Sequence, residues 1–535
     1  MRFPLRARRP ERTRPLSRRP AGGGFARRLL GAACAGLGLA GLQGCAGLAA
    51  EKHLAPLYTQ LSPAGGGEET ELLGGAIRSR TDGYTGQTME WAFRPFFSLW
   101  PKGGSDYEAH FLPPLGRFDR EGFDKTWRMI PLFYYRSQVE ADAAGEDRWT
   151  WNLLVFPFLY FSRNTEGRRV SAFFPVIGST EDFLSFDKID FFLFPLWART
   201  QRGERVHYHF LWPIFSWTNA TEGRSFRVWP LFGRNHWEGH YTRYYFLWPI
   251  FQWQKNRQLY GEDQEADVWM VWPLIGRSER AGYTSTTVLW PFFGYADHES
   301  NGWWSWDGPW PLVRMLEPGE TDGPRRRRFW PFYSRYEGNG MESTWYLWPF
   351  VNFRTENYPD RRSEAAGVFP FWRAEDDWSI DEHGGEEQVG SYRKVWPLYR
   401  SERGEDSYDF AAPTLNPLWR TPLIDYHYAW LWQLYTYQRE GDNVSQRSWL
   451  GIWRRETDVD EDRNSIAGLY ASRRYSRLGE PVVERSLLFG LFRWRMSADE
   501  GFELMRPALP GPGWPMDRTP NSILPPRTLE LGEEL

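Results

Sequence analysis

The sequence predicts an all-β chain, an antiparallel up-and-down meander of about 18 to 21 repeated strands. It leaves open whether that meander closes as a large β-barrel. Three observations carry the prediction. A phrase of aliphatic, aromatic, Pro and aliphatic residues recurs along the chain, mostly at intervals of 17 to 21 residues. Aromatic residues make up 18 % of the chain, with 32 Trp among them, a strand-forming bias that repetition of one Trp-bearing unit explains. Charged stretches separate the phrases, as in Glu238-Gly239, Glu337-Gly338-Asn339-Gly340 and Glu402-Arg403-Gly404. Their Gly and Asn accept the positive φ of hairpin turns.

The first element is a targeting segment. Residues 1–28 hold ten Arg and one Glu, and residues 29–45 hold no charged residue. The apolar run Leu29 to Gly44 has 16 residues, rich in Gly and Ala, too short and weakly apolar for a typical membrane span. It ends in Leu42-Gln43-Gly44-Cys45. A basic start, an apolar centre and Leu-x-Gly-Cys together resemble the signal segment and lipobox of bacterial lipoproteins. That resemblance implies removal of residues 1–44, lipid attachment at Cys45 and, with Ala46 following, placement at the outer membrane. Arg27-Arg28 and Arg18-Arg19 leave the export route open between the general and twin-arginine pathways. Residues 45–90 then read as lipid attachment followed by a Gly-rich tether.

The repeat fills residues 91–500. Its clearest copies centre on Trp212-Pro213, Trp229-Pro230, Trp248-Pro249, Trp272-Pro273, Trp290-Pro291 and Trp348-Pro349. These residues are the expected structural core of the repeat. A Pro in every unit would break a helix at its centre, so each unit reads as one strand of about 10 to 14 residues plus a turn. Pro then falls in mid-strand, where it removes a ladder donor and implies a kink or bulge repeated at one level. From Trp345, Leu347, Pro349, Val351 and Phe353, one strand face is apolar throughout. Residues 501–535 read as a Pro-rich disordered tail.

Without residues 1–44 the chain carries a charge of −12, which argues against nucleic acid as a partner. Cys34 and Cys45 are the two cysteines, so the body holds no disulfide, thiolate metal site or cysteine nucleophile. His207 with His209, and His236 with His240, have spacings that metals use, but read as strand-end and loop residues. Glu262, Asp263, Glu265 and Asp267, and Asp376-Asp377 with Glu386-Glu387, read as solvated loops lacking the alternating ligands of a calcium loop. The run Arg325 to Arg328 reads as a solvated strand end with the option of docking lipid phosphates. No nucleophile elbow or phosphate loop is present. No catalytic residue, metal site or cofactor is therefore expected. The leading expectation is a non-enzymatic, outer-membrane-attached lipoprotein of the cell envelope with a structural or interaction role. Its partners would be the membrane through lipidated Cys45 and an envelope protein or glycan. The alternatives are an integral outer-membrane β-barrel moving a solute or polymer, and a glycan-binding or glycan-hydrolysing protein.

Overall fold

The computed structural model describes residues 51–514, apart from 64–65, 84, 142–144, 257–265, 281, 321–322, 478 and 510. Cys45, the targeting segment and residues 515–535 lie outside the described residues. The described residues form one antiparallel sheet of 45 strands, from Lys52–Leu54 to Gly501–Met505. Each strand whose register is given pairs with its neighbour in sequence, as in Arg205–Phe210 with Phe215–Ala220 and Gly223–Val228 with Phe232–Trp237. The predicted antiparallel meander is thus what the chain forms. The described residues show no hydrogen-bonded pairing between the first and last strands.

The strand count is about double the expectation, because the aromatic–proline phrase is a turn and not the middle of a strand. Tyr241–Phe246 ends before Leu247, and Phe251–Asn256 begins after Ile250. Leu247-Trp248-Pro249-Ile250 therefore reverses the chain. Trp248–Pro249 is a cis peptide bond, as are Trp212–Pro213, Trp229–Pro230, Trp272–Pro273, Trp290–Pro291 and Trp348–Pro349, the arrangement of a type VI turn. A turn is also where Pro does no harm to a ladder, since its missing N–H is not needed. Each phrase thus closes a hairpin, and a charged turn at the opposite edge leads to the next. Asn339-Gly340 is one of those, with φ of 53° and 74°, the positive values that a two-residue hairpin turn requires.

Boundaries shift at both ends of the sheet. The segment expected as a tether already contains Tyr58–Leu61, Glu68–Leu72 and Ile77–Thr81, paired in register with one another. Gly501–Met505, placed in the tail by sequence, is the last strand, and Trp514 is buried. Among the described residues one short α-helix, Pro422–Tyr428, interrupts the strands.

The two ends of the sheet lie on one another through one face. Arg447 reaches Glu71 at 2.7 Å, and Arg454 reaches Glu69 at 3.1 Å and also Glu71. Arg463 pairs with Glu51, and His53 Nε2 lies 2.7 Å from the Gly451 carbonyl. The Glu51 amide donates to the Trp514 carbonyl at 2.8 Å. The helix joins this packing: His427 Nε2 is 2.9 Å from Ser98 Oγ, and Tyr428 Oη donates to the Pro113 carbonyl at 3.2 Å. A small apolar core on the same face gathers Tyr160, Val170, Ala172, Phe191 and Ala198.

Candidate functional site

The distribution of polarity picks out the other face. Buried side chains include Glu69, Glu71, Lys394, Arg454, Arg463 and Glu484, while the buried apolar ones are largely Ala. Large apolar residues are instead exposed along the whole sheet. Exposed apolar residues in isolation are ordinary, but a contiguous surface of them marks an interaction site.

This surface is built in rows by the register. The residues flanking the aromatic–proline turns pair across the sheet as Phe210, Phe215, Val228, Phe232, Phe246, Phe251, Val271, Ile275, Val288 and Phe293 in unbroken succession. The row two residues further from the turns runs Tyr208, Trp217, Phe226, Arg234, Tyr244, Trp253, Trp269 and Arg277. Two residues further again the row opens with Val206 and, from Arg224, is polar: Arg224, His236, Thr242, Lys255, Asp267 and Glu279. Strand alternation puts these three rows on one face.

The turns extend the surface past the strand ends. The Trp212, Trp248, Trp290 and Trp348 rings are 46 %, 45 %, 47 % and 48 % exposed, so they are not core side chains. Trp229 and Trp272 are half-buried. Each turn is stitched to the one before it. The Trp212 amide donates to the Pro195 carbonyl at 2.7 Å, Trp248 to Pro230 at 2.6 Å, Trp290 to Pro273 at 2.7 Å and Trp348 to Pro331 at 2.7 Å. Neighbouring rings meet as well, with 5.9 Å between the centroids of Trp229 and Trp248 and 6.0 Å between those of Trp330 and Trp348. The hydrogen-bonded ladder therefore continues through the turns, and the aromatic edge is one line.

Sequence reasoning missed a device in this edge. In the four-residue turns the residue before the aromatic is Leu with positive φ: 47° at Leu211, 47° at Leu247, 49° at Leu289 and 48° at Leu347. A non-Gly residue there costs about 1 kcal/mol, and a Gly would avoid that cost. What Leu adds is an apolar side chain at the rim; Leu247, Leu289 and Leu347 are exposed.

Two hollows indent this face. One of about 500 Å³ lies among Phe97, Leu99, Phe111, Phe118, Trp127 and Met129, where Ala109 presents only a methyl group. Another of about 470 Å³ is lined by Tyr408, Phe410, Tyr435 and Tyr437 with Arg403 and Arg439.

No protein-family model matches the chain, and no curated protein matches it.

The other sequence candidates are accounted for by local pairing. His207 and His209 stack at 6.4 Å on one strand, and burial, then Arg227, pushes His209 down to about 4. Thr218 Oγ1 sits 2.5 Å from His207 Nδ1. His236 Nδ1 lies 2.8 Å from Thr242 Oγ1, and His240 is in the turn beyond. Among the described residues no group of three or more His, Cys, Asp or Glu side chains is arranged to hold a metal. Glu262, Asp263 and Glu265 lie outside the described residues. Asp376 and Glu386 fall in paired strands, where Asp376 accepts from Arg393 at 2.7 Å and Glu386 from Arg362 at 3.1 Å. The arginine run is the strand Arg325–Phe329, and Arg325 and Arg327 both reach Glu317, at 2.5 and 2.8 Å.

Proposed function

We propose that this chain is a non-enzymatic lipoprotein, attached at the outer membrane through Cys45, whose β-repeat body is an interaction scaffold. The observation that carries the interaction role is the unbroken apolar row from Phe210 to Phe293, lying outward while charged side chains are buried on the reverse face. A catalytic protein concentrates its chemistry in one concave pocket with a few convergent polar groups. Here the extended feature is a repeated edge instead. The envelope placement is supported by the basic start, the apolar run and Leu42-Gln43-Gly44-Cys45. The strands at the Trp–Pro turns from Arg205–Phe210 to Met341–Tyr346 have five or six residues. A tilted strand crossing a bilayer needs about 9 to 11, which favours a body that sits beside the membrane over one that spans it.

Metabolic acyl labelling tests the attachment. In a host that processes lipoproteins, the mature chain is expected to begin at Cys45 and carry the label, and Cys45→Ser is expected to carry none and keep residues 1–44. An unlabelled wild-type chain recovered with residues 1–44 in place would sink the reading.

A further inference from the structure

From Gly223–Val228 to Ile275–Arg280 the outer face is graded along the strand axis in the same order in each strand. At the rim stand Leu, Trp, Pro and Ile or Phe. Next comes the Phe, Val and Ile row, then the row of Tyr, Trp, Phe and Arg, then the polar row with its mixed charges. Apolar side chains, then amphipathic aromatics, then charges is the order of environments met on leaving a bilayer's interior for water. Rows two residues apart are about 7 Å from each other. The apolar zone, from the rim to the Tyr and Trp row, is therefore roughly 12 Å deep, less than the ~15 Å of one leaflet's hydrocarbon.

We propose that this aromatic–proline edge seats in one leaflet of a lipid bilayer, with the strands standing on the membrane and not crossing it. The proposal deepens the reading above and takes its geometry from it. The rim turn nearest the proposed lipid site is at Ala55–Pro56, ten residues from Cys45, with Leu57 exposed at 69 %. Ten residues reach at most about 35 Å, so acyl chains on Cys45 hold the start of the edge within reach of the bilayer surface. The register carries the edge on from there, because the turn-flanking residues pair in unbroken succession from Leu54 and Tyr58 through Phe97 and Trp197 to Phe210 and on to Phe293. The register shifts in the sheet, at Arg80/Thr81, Pro101/Gly103 and Asp377/Trp378, fall toward the strand ends away from the aromatic–proline turns. A protein partner or a second copy would need complementary relief, which a repeated line of similar side chains does not offer. A lipid surface needs none. The third row mixes Arg224, Lys255, Asp267 and Glu279, so attraction to one sign of headgroup is not what holds the edge.

The test uses the full chain with Cys34→Ser and Cys45→Ser, which removes the lipid and leaves no native thiol. Single cysteines at Leu247→Cys on the rim and Glu238→Cys at the opposite edge carry an environment-sensitive fluorophore, and far-ultraviolet circular dichroism checks that both keep their strands. On adding phosphatidylcholine–phosphatidylglycerol vesicles, the label at 247 is expected to rise about twofold or more in emission. It should be quenched by brominated acyl chains and hold at about 0.5 M salt, while the label at 238 stays unchanged. No response at 247, an equal response at 238, or a response lost in salt overturns the proposal. So does a rise with protein concentration alone, which would mean that a second copy covers the edge. Because the Cys45 acyl attachment is absent from this variant, failure here is separate from failure of acyl labelling.

Discussion

His53 and His427 are fully buried where the ends of the sheet meet, and neither is held in a protonated form. Burial, then the Arg454 charge, pushes His53 down to about 4. Burial, then His110 and Arg94, pushes His427 down to about 3. Glu71 is held down at about 2: burial acts to raise it, and the Arg447 and Arg454 guanidiniums outweigh burial. Each of these groups binds its proton more weakly folded than unfolded, so each contributes stability above its unfolded value and loses it as the pH falls. The histidines begin to lose theirs below about 6.5, with on the order of 2 kcal/mol from each gone by pH 5. Glu71 loses its contribution below about 4.5. Acid should therefore loosen the overlap first. Between pH 8 and pH 5, corrected for intrinsic exchange rates, amide protection is expected to fall in Lys52–Leu54 and Trp453–Thr457 and to hold in Tyr241–Phe246. Equal loss across all three segments would show that these groups do not govern the overlap. None of this was legible in the sequence, since Arg463 and Glu51 stand 412 residues apart. No local pattern relates residues so distant.

At the scale of the element, each phrase yields a hairpin. The repeat, the antiparallel order and the charged turns were all legible in the periodicity. The position of the proline was not, because an apolar run through Phe246-Leu247-Trp248-Pro249-Ile250-Phe251 reads equally as strand or as turn flanked by strand ends. The error also crossed the faces. With a four-residue turn, Phe246 and Phe251 pair and share the outer face, as do Tyr244 and Trp253, while Tyr245 and Gln252 lie on the reverse. Alternation counted straight through Pro249 puts Tyr245 and Phe251 together instead. The same hairpins make stability local, since contacts run mainly between neighbours. Gly178 faces Ala172 in the small core, and a Cβ there would lie 2.2 Å from the Ala172 Cα and Cβ. Gly178→Val is thus expected to cost about 1–3 kcal/mol by overpacking. Hydrogen exchange should show protection falling in Leu159–Arg163 and Arg169–Phe173 while Asn443–Ser448 keeps its own. Unchanged exchange near the substitution would refute the close packing.

For the whole molecule, the meander keeps each row of side chains at one level over many strands, and so a feature of a single phrase becomes an edge. The phrase supplies Trp, Pro and Leu at the rim. The register supplies continuity, and the buried ion pairs Arg447–Glu71 and Arg454–Glu69 tie the two ends of the sheet face to face. The sequence reading reached the repeat and its apolar face and left open whether that face turns outward or is packed. Which face is buried depends on the overlap, and the overlap depends on contacts between the chain's ends. The edge exists only if the phrase is a turn. Spin labels at Thr242→Cys and Lys255→Cys, in a chain without Cys34 and Cys45, measure that directly. These positions are register partners in the hairpin, so their Cα atoms should stand about 5 Å apart and the labels should show strong dipolar broadening. A separation of about 40 Å, the length of one continuous strand through Pro249, would contradict the account.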